Sequence, residues 1–149
     1  MSRLVLGFVV LSLFLALSPA AAQTSGPEEA VALYGAAWAE ADPAKRRALL
    51  EKAWAEDGVY TDPSAEVKGR DALHEHIGAF LDQGTGASLV LTSKVDSHHG
   101  HRLRFSWSMV SKDGQTVATG IDYGEVDDDG RLRLIVGFFG PFQPVDETR

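Results

Sequence analysis

Two aspartates stand among apolar and small residues in segments that should form strands. Asp62 lies in the segment VYTDP at positions 59–63, and Asp122 lies in GIDYG at positions 120–124. Aspartate is depleted from strands, and burial of an unpaired carboxylate costs several kcal/mol or raises its pKa. The two side chains therefore either face outward or form a site. For Asp62 the plain alternative is an Asp-Pro turn, in which the carboxylate accepts local backbone N–H groups.

A pair of carboxylates in an apolar cavity can remove a proton from a carbon beside a carbonyl group. This chemistry needs a base near that carbon and donors aimed at the oxygen that becomes an enolate. Asp62 would be the base and Asp122 the donor. Gly120 and Gly124 flank Asp122 on its own strand face, and we expect them to leave room for a ligand. The apolar wall that raises a carboxyl pKa would come from Leu103, Phe105, Trp107, Met109, Ile135 and Phe139.

Other chemistry-bearing clusters are weaker candidates. His98, His99 and His101 fit a hairpin tip better than a structural zinc site, which normally has four ligands. The acidic run at 127–129 lacks the length and the terminal glutamate of a calcium loop. No glycine-rich phosphate loop is visible. We therefore predict no metal, and the sequence implies no cofactor.

Helical spacing dominates the first part of the chain. Apolar residues recur at three- and four-residue steps over 28–41, and the segment 25–28 matches a capping box. Asp42, followed by proline, predicts the start of a second helix. The buried face of that helix should include Trp54, and Gly58 should end the helix.

A short strand should separate the second helix from a third. We predict a strand over 59–62 that stops at Pro63, followed by a loop to Gly69. Asp71 is the expected cap of the third helix. The apolar side of that helix comprises Leu73, Ile77, Phe80 and Leu81.

Beyond the third helix the apolar period changes to two, which indicates strands. Turn signals at 112–114 and 128–130 predict an antiparallel meander from Leu89 to Phe139, and residues 141–149 should form an irregular tail. Helices followed by strands indicate the α+β class.

Length and composition favour one exported domain. The chain has 149 residues, a net charge of −7 and no cysteine. Residues 1–22 resemble a secretory signal peptide, whose apolar stretch is shorter than the roughly 20 residues of a membrane-spanning helix. We expect a secreted or periplasmic protein with no membrane association after cleavage. The acidic surface argues against a nucleic-acid partner.

The motifs resemble one superfamily. AEDGVYTDP at 55–63, GR at 69–70 and DDDGR at 127–131 resemble the nuclear-transport-factor-2-like superfamily, and within it the SnoaL-like polyketide cyclase and ketosteroid isomerase group. The resemblance implies a SnoaL-like domain over 23–140 with a cone-shaped fold, in which three N-terminal helices pack on a curved antiparallel sheet. It also implies a homodimer.

The resemblance to ketosteroid isomerases assigns roles to individual residues. An aspartate followed by proline after helix two is the general base in that family, and Asp62 matches it. A protonated aspartate in the penultimate strand donates a hydrogen bond to the oxyanion, and Asp122 matches it. The family's third member is a tyrosine on helix one, where this chain has Trp38, a weaker acid than a phenol. Tyr34, one turn earlier, could reach the cavity from another angle.

Histidine offers a further option, because scytalone-dehydratase-like members of the superfamily use it. His74 and His99 are therefore additional candidates, whereas a surface position on the third helix is the plain interpretation of His74 and His76.

Two function classes follow. The first is an exported enzyme of isomerase, cyclase or hydrolyase type that acts on a small apolar, ring-sized molecule. The second is a non-catalytic module that binds an apolar ligand or a protein partner. A pure dimerisation module would instead expose an apolar sheet face and have no cavity.

Overall fold

A computed structural model describes residues 26–84 and 86–145 of the chain. Within them lie the helices α1 (Pro27–Ala37), α2 (Pro43–Ala53) and α3 (Arg70–Asp82). Asp42 caps α2 as predicted, because its carboxylate accepts the backbone N–H groups of Ala44 at 2.9 Å and Lys45 at 3.0 Å. The predicted signal peptide falls outside the described residues and stays a prediction.

The starts and ends of the other two helices differ from the predictions. Ser25, part of the predicted capping box, lies outside the described residues, and Gly26 is the N-cap of α1. This helix ends at Ala37, earlier than expected. Gly69, not Asp71, is the N-cap of α3, and its φ of 94° favours glycine. Asp71 lies in the first turn, where its negative charge suits the helix dipole.

Strands in the described residues form a single curved sheet. They are β1 (Trp54–Asp62), β2 (Ala65–Lys68), β3 (Ser88–Leu91), β4 (Asp96–His98), β5 (Arg102–Val110), β6 (Thr116–Val126) and β7 (Leu132–Phe139). The order across the sheet is β2-β1-β7-β6-β5-β3, and β4 pairs with β5.

The sheet is mixed, so the prediction of a curved antiparallel sheet is wrong for one pair of strands. The predicted meander is present, because β5, β6 and β7 pair antiparallel in sequence. β1, however, pairs parallel with β7. A parallel pair needs a long crossover connection, and here α3 and the strands β2 to β6 lie between the two strands in the chain. The α+β class is confirmed.

The region between α2 and α3 contains more strand than predicted. Trp54 is the first residue of β1 rather than part of α2. Gly58 lies inside β1, where an added Cβ would come within 2.6 Å of Trp54 Nε1. Glycine therefore serves close packing there and does not end a helix. The predicted loop after Pro63 contains β2, which forms a hairpin with β1.

The core lies between the helices and one face of the sheet. Arg46 is 5% exposed and donates from Nη1 to the carbonyl of Glu40 at 2.9 Å, which holds the turn between α1 and α2. The largest fully buried side chains come from both layers and are Val31, Tyr34, Leu50, Trp54, Leu73, Ile77, Leu103, Phe105, Leu132 and Ile135.

Every helix in the described part of the chain is too short or too polar to cross a membrane. Residues 141–145 have no regular secondary structure, in line with the predicted tail, and its last four residues lie outside the described ranges.

Candidate functional site

A cavity of about 300 Å³ opens between the helices and the sheet. It is lined by Tyr34, Trp38, Tyr60, Asp62, Ser64, His76, Ala79, Phe80, Gln83, Leu89, Trp107, Met109, Asp122 and Phe139. Seven of the predicted site residues are among them. Phe105 and Ile135 are not, because they are 2% and 0% exposed and belong to the core beneath the cavity.

The structure brings the two predicted carboxylates together across three strands. Asp122 on β6 pairs with Gly137 on β7, and Thr61 on β1 pairs with the residue just before Gly137. An added Cβ on Gly137 would lie 3.2 Å from Asp122 Oδ1 and 3.5 Å from Asp62 Cβ. The absent side chain of Gly137 therefore lets the two acids approach each other.

Asp122 is a buried acid with a raised proton affinity. The residue is 4% exposed, and its Oδ1 accepts the indole N–H of Trp107 at 2.8 Å. Burial raises the pKa of Asp122 to about 6, the hydrogen bond from Trp107 lowers it, and the charge of Asp62 adds to the rise. Asp122 therefore titrates close to neutral pH.

The two glycines that flank Asp122 do not leave room for a ligand, so that prediction is wrong. An added Cβ on Gly120 would lie 2.3 Å from the Trp107 indole. One on Gly124 would lie 2.8 Å from Ile135 and 2.9 Å from Leu103. Both glycines therefore admit packing side chains of the protein, and Gly120 lets Trp107 lie flat enough to reach Asp122.

Asp62 is a half-buried carboxylate in the β1–β2 turn whose oxygens are held by protein donors. Its Oδ1 accepts the backbone N–H and hydroxyl of Ser64, both at 2.7 Å, and the N–H of Ala65 at 2.8 Å. Its Oδ2 accepts the Tyr60 hydroxyl at 2.6 Å. Partial burial alone would raise the pKa of Asp62, but these donors outweigh it and the pKa lies below the usual value. The Asp-Pro turn interpretation is confirmed, although Asp62 also lines the cavity.

Trp38 lines the same cavity, and its buried indole N–H lies next to Tyr34. The residue is 6% exposed, and its indole N–H finds no acceptor of good geometry among the described residues. Its ring lies against Tyr60 and Phe80, each with centroids 5.6 Å away. A buried donor without a partner is costly, so an acceptor on a ligand would be favoured there.

Tyr34 lies deeper, behind Trp38. Its ring stacks on Trp54 with a centroid distance of 5.7 Å, and the residue is 1% exposed. Burial raises the pKa of Tyr34 well above its usual value, and the charge of Asp122 raises it further. The phenol therefore stays protonated next to the two acids.

Several lining residues were not predicted as part of the site. Tyr60 lies two positions before Asp62, so strand alternation places both on one face. His76 and Phe80 are one helical turn apart on α3, which signals a shared face. His76 lies 5.6 Å from Tyr60 between ring centroids rather than on the open surface. His74 bonds through Nε2 to the carbonyl of Pro43 at 2.9 Å.

The site offers little to a charged cofactor. Among the described residues that line the cavity, none is lysine or arginine. Elsewhere, His98 and His99 lie at the predicted hairpin tip with their Nδ1 atoms 2.9 Å apart. The described residues contain no group of three metal-binding side chains around them or at any other position.

Comparisons with known proteins agree on one family. Residues 30–135 match the SnoaL-like domain. A solved structure from Agrobacterium tumefaciens, provisionally named an isomerase of the SnoaL-like family, is 37% identical with a TM-score of 0.70 and covers 75% of this chain and 95% of that chain. No significant match was found among curated proteins.

More distant structures share the fold alone. A Sinorhizobium meliloti protein, provisionally named a polyketide cyclase, is 20% identical with a TM-score of 0.55 and covers 72% of this chain and 92% of that chain. A Methylobium petroleophilum protein of unknown function with a cystatin-like fold is 18% identical with a TM-score of 0.64, covering 83% and 81%.

Proposed function

The chain belongs to the SnoaL-like family, and on that premise we propose that it is a cofactor-independent enzyme of isomerase, cyclase or hydrolyase type. It moves a proton on a small apolar carbonyl compound. The observation that carries the proposal is the split between two neighbouring acids at one cavity, with the pKa of Asp122 raised to about 6 and that of Asp62 lowered. Carboxyl groups with separated proton affinities can serve as acid and base at one pH.

The candidate catalytic residues of this proposal are Asp62 or Asp122 as the base and Trp38 as the donor. One of the acids exchanges a proton with substrate carbon. The indole N–H of Trp38, which meets no acceptor of good geometry among the described residues, is the proposed donor to the enolate oxygen. Tyr34, Trp107, Met109 and Phe139 form the substrate-contacting wall.

The shape and charge of the cavity narrow the substrate. A volume of about 300 Å³ equals the space of roughly ten liquid water molecules and suits one or two fused rings. Six of the fourteen lining residues are tyrosine, tryptophan or phenylalanine, which favours a flat apolar molecule. Two carboxyl groups without a lining cation among the described residues disfavour an anion.

Hydrogen exchange tests the proposal without knowledge of the natural substrate. The probe is β-tetralone, whose protons beside the carbonyl are acidic. Its exchange in deuterium oxide is measured by proton NMR. We expect the wild-type protein to accelerate their exchange and the variant Asp62→Asn/Asp122→Asn to lose the acceleration by about a hundredfold or more. Equal rates for the two proteins would contradict the proposal.

A second candidate function is an apolar-ligand carrier, which the saturated hydrogen bonding of Asp62 favours. A carrier would bind β-naphthol, a non-reacting phenol of similar shape, and the double variant would keep most of that affinity. Thermal shift with β-naphthol together with the β-tetralone exchange assay separates the two functions, because a carrier binds the phenol without accelerating exchange.

We further propose that the protein is exported and forms a homodimer through the sheet face that carries the exposed Phe138 and the neighbouring Phe142. These side chains are 61% and 89% exposed. Sedimentation of wild-type protein and of Phe138→Lys tests the assembly. A monomeric wild type would exclude the homodimer.

Export is tested separately, by fusing residues 1–22 to a reporter protein and measuring whether the reporter is secreted.

A further inference from the structure

The two acids of the cavity differ in how many hydrogen bonds they already accept. Asp62 receives three donors on Oδ1, and Tyr60 occupies Oδ2. A carboxylate that accepts several hydrogen bonds is stabilised in its charged form and is a weak base. To take a proton from carbon, Asp62 would also have to release the Tyr60 hydroxyl.

The carboxylate of Asp122, in contrast, accepts few hydrogen bonds. It accepts one hydrogen bond from the described residues, from Trp107 to Oδ1, and Oδ2 accepts none from them. The side chain is buried among aromatic residues and lines the cavity. Poor solvation raises the proton affinity of such a carboxylate and leaves one oxygen available to a substrate.

We propose that Asp122, and not Asp62, is the base that removes the substrate proton, with Trp38 as donor to the enolate oxygen. This assignment rests on the proposed function and reverses the roles that the resemblance implies. Asp62 is then a positioning residue. It fixes the Tyr60 hydroxyl and the β1–β2 turn, and its negative charge beside Gly137 keeps the proton affinity of Asp122 high.

The proton-transfer step balances within the site. Asp122 Oδ2 forms a bond to the proton on the carbon beside the carbonyl. The electrons of that C–H bond become the C=C bond of the enolate, and the carbonyl π electrons move to oxygen, which accepts the Trp38 N–H. Asp122, now a carboxylic acid, exchanges its proton with solvent and then protonates the same carbon, or it delivers the proton to the far end of a conjugated system. Return to the far end is an isomerisation.

Single variants separate the two assignments. With β-tetralone exchange as the assay, Asp122→Asn should lose a hundredfold or more of kcat/KM, whereas Asp62→Asn should stay within about tenfold of wild type. The amide oxygen introduced by Asp62→Asn can still accept the turn N–H groups, and circular dichroism checks that both variants fold. Loss in Asp62→Asn with activity kept in Asp122→Asn would overturn the assignment while the proposed function stands. Absence of exchange in the wild type would overturn both.

The pH dependence of the exchange rate is a second test. A purely structural role of Asp62 would leave it unchanged. The wild-type rate should rise with pH through about 6 as Asp122 ionises. In Asp62→Asn the profile should shift to lower pH, because the charge that raises the pKa of Asp122 is gone. An unshifted profile would contradict the positioning role.

A carboxyl titration by carbon-detected NMR tests, even without turnover, the difference in proton affinity between the two acids on which the assignment rests. The two asparagine variants assign the signals. Asp122 should titrate above Asp62, and the opposite order would overturn the proposal whatever the probe does.

Discussion

Trp107 and Asp122 form a buried hydrogen bond between β5 and β6, from the indole Nε1 to Oδ1 at 2.8 Å. Trp107 reaches this position because it lies over Gly120, where any Cβ would collide with the indole. The missing side chain of Gly120 thus lets the Trp107 indole reach the Asp122 carboxylate. The bond favours the charged form of Asp122 and opposes the effect of burial on its pKa.

Replacement of Trp107 by phenylalanine should raise the pKa of Asp122 above 6. A hydrogen bond to a charged group contributes about 1.5–3 kcal/mol, which corresponds to roughly one to two pKa units. Carboxyl NMR titration measures the shift. Trp54→Phe is the matched control, because Trp54 is equally buried but its N–H has no partner among the described residues. A similar shift in both variants would mean that packing, not the hydrogen bond, sets the pKa.

Asp122→Asn should change how stability depends on pH. The pKa of Asp122 is about 6 in the folded protein, against a usual value of 3.8. The folded state thus binds this proton more tightly, and its contribution to stability is lost as pH rises from 3.8 to 6. The loss is roughly 3 kcal/mol. Urea unfolding at pH 4 and pH 8 should show that the free energy of unfolding of the variant, relative to wild type, is higher at pH 8 than at pH 4.

Asp62→Asn serves as the control of opposite sign in the same experiment. The pKa of Asp62 is lowered in the folded protein, so its contribution is present above the usual value and lost as pH falls. This variant should lose stability relative to wild type as pH rises. The same sign of change in both variants would contradict the split between the two acids.

Gly137→Ala should separate the two acids. The new Cβ would lie 3.2 Å from Asp122 Oδ1, tighter than an ordinary contact, so Asp122 or β7 must move. We expect the β-tetralone exchange rate to fall about tenfold or more, since small misplacements of a reacting group are costly. Gly35→Ala is the control. Its Cβ meets nothing within 4 Å, and it should keep activity while gaining about 0.5–1 kcal/mol of stability. Equal activity of both variants would show that Gly137 is unimportant.

Periodicity and turn chemistry predicted much of this site. The alternation of Phe105, Trp107 and Met109 places all three on the inner face, and the two aspartates do meet at one cavity. Alternation gives the face of a residue but not its depth along the strand. Phe105 therefore fills the core, whereas Trp107 and Met109 line the cavity.

The pairing of strands that are distant in the chain could not be predicted from the sequence. Gly137 matters because β7 lies between β6 and a parallel β1, and no local pattern in the chain specifies that register. Gly120 and Gly124 are close to Asp122 in sequence, yet their open sides are filled from β5 and β7. The same limitation explains why β2 was predicted as a loop, since its strand character depends on pairing with β1.

The charge of the cavity should select against anions. Asp62 and Asp122 both line it, and no lysine or arginine does so among the described residues. β-Naphthol and β-naphthoate have similar shapes, so their affinities compare a neutral with an anionic head group. At pH 8, where Asp122 is ionised, calorimetry should find β-naphthoate at least tenfold weaker, because like charges repel strongly in a poorly solvated site. At pH 5 Asp122 is mostly protonated, and the difference should shrink. A preference for β-naphthoate at pH 8 would require a cation that the described lining does not show, and would contradict a neutral carbonyl substrate.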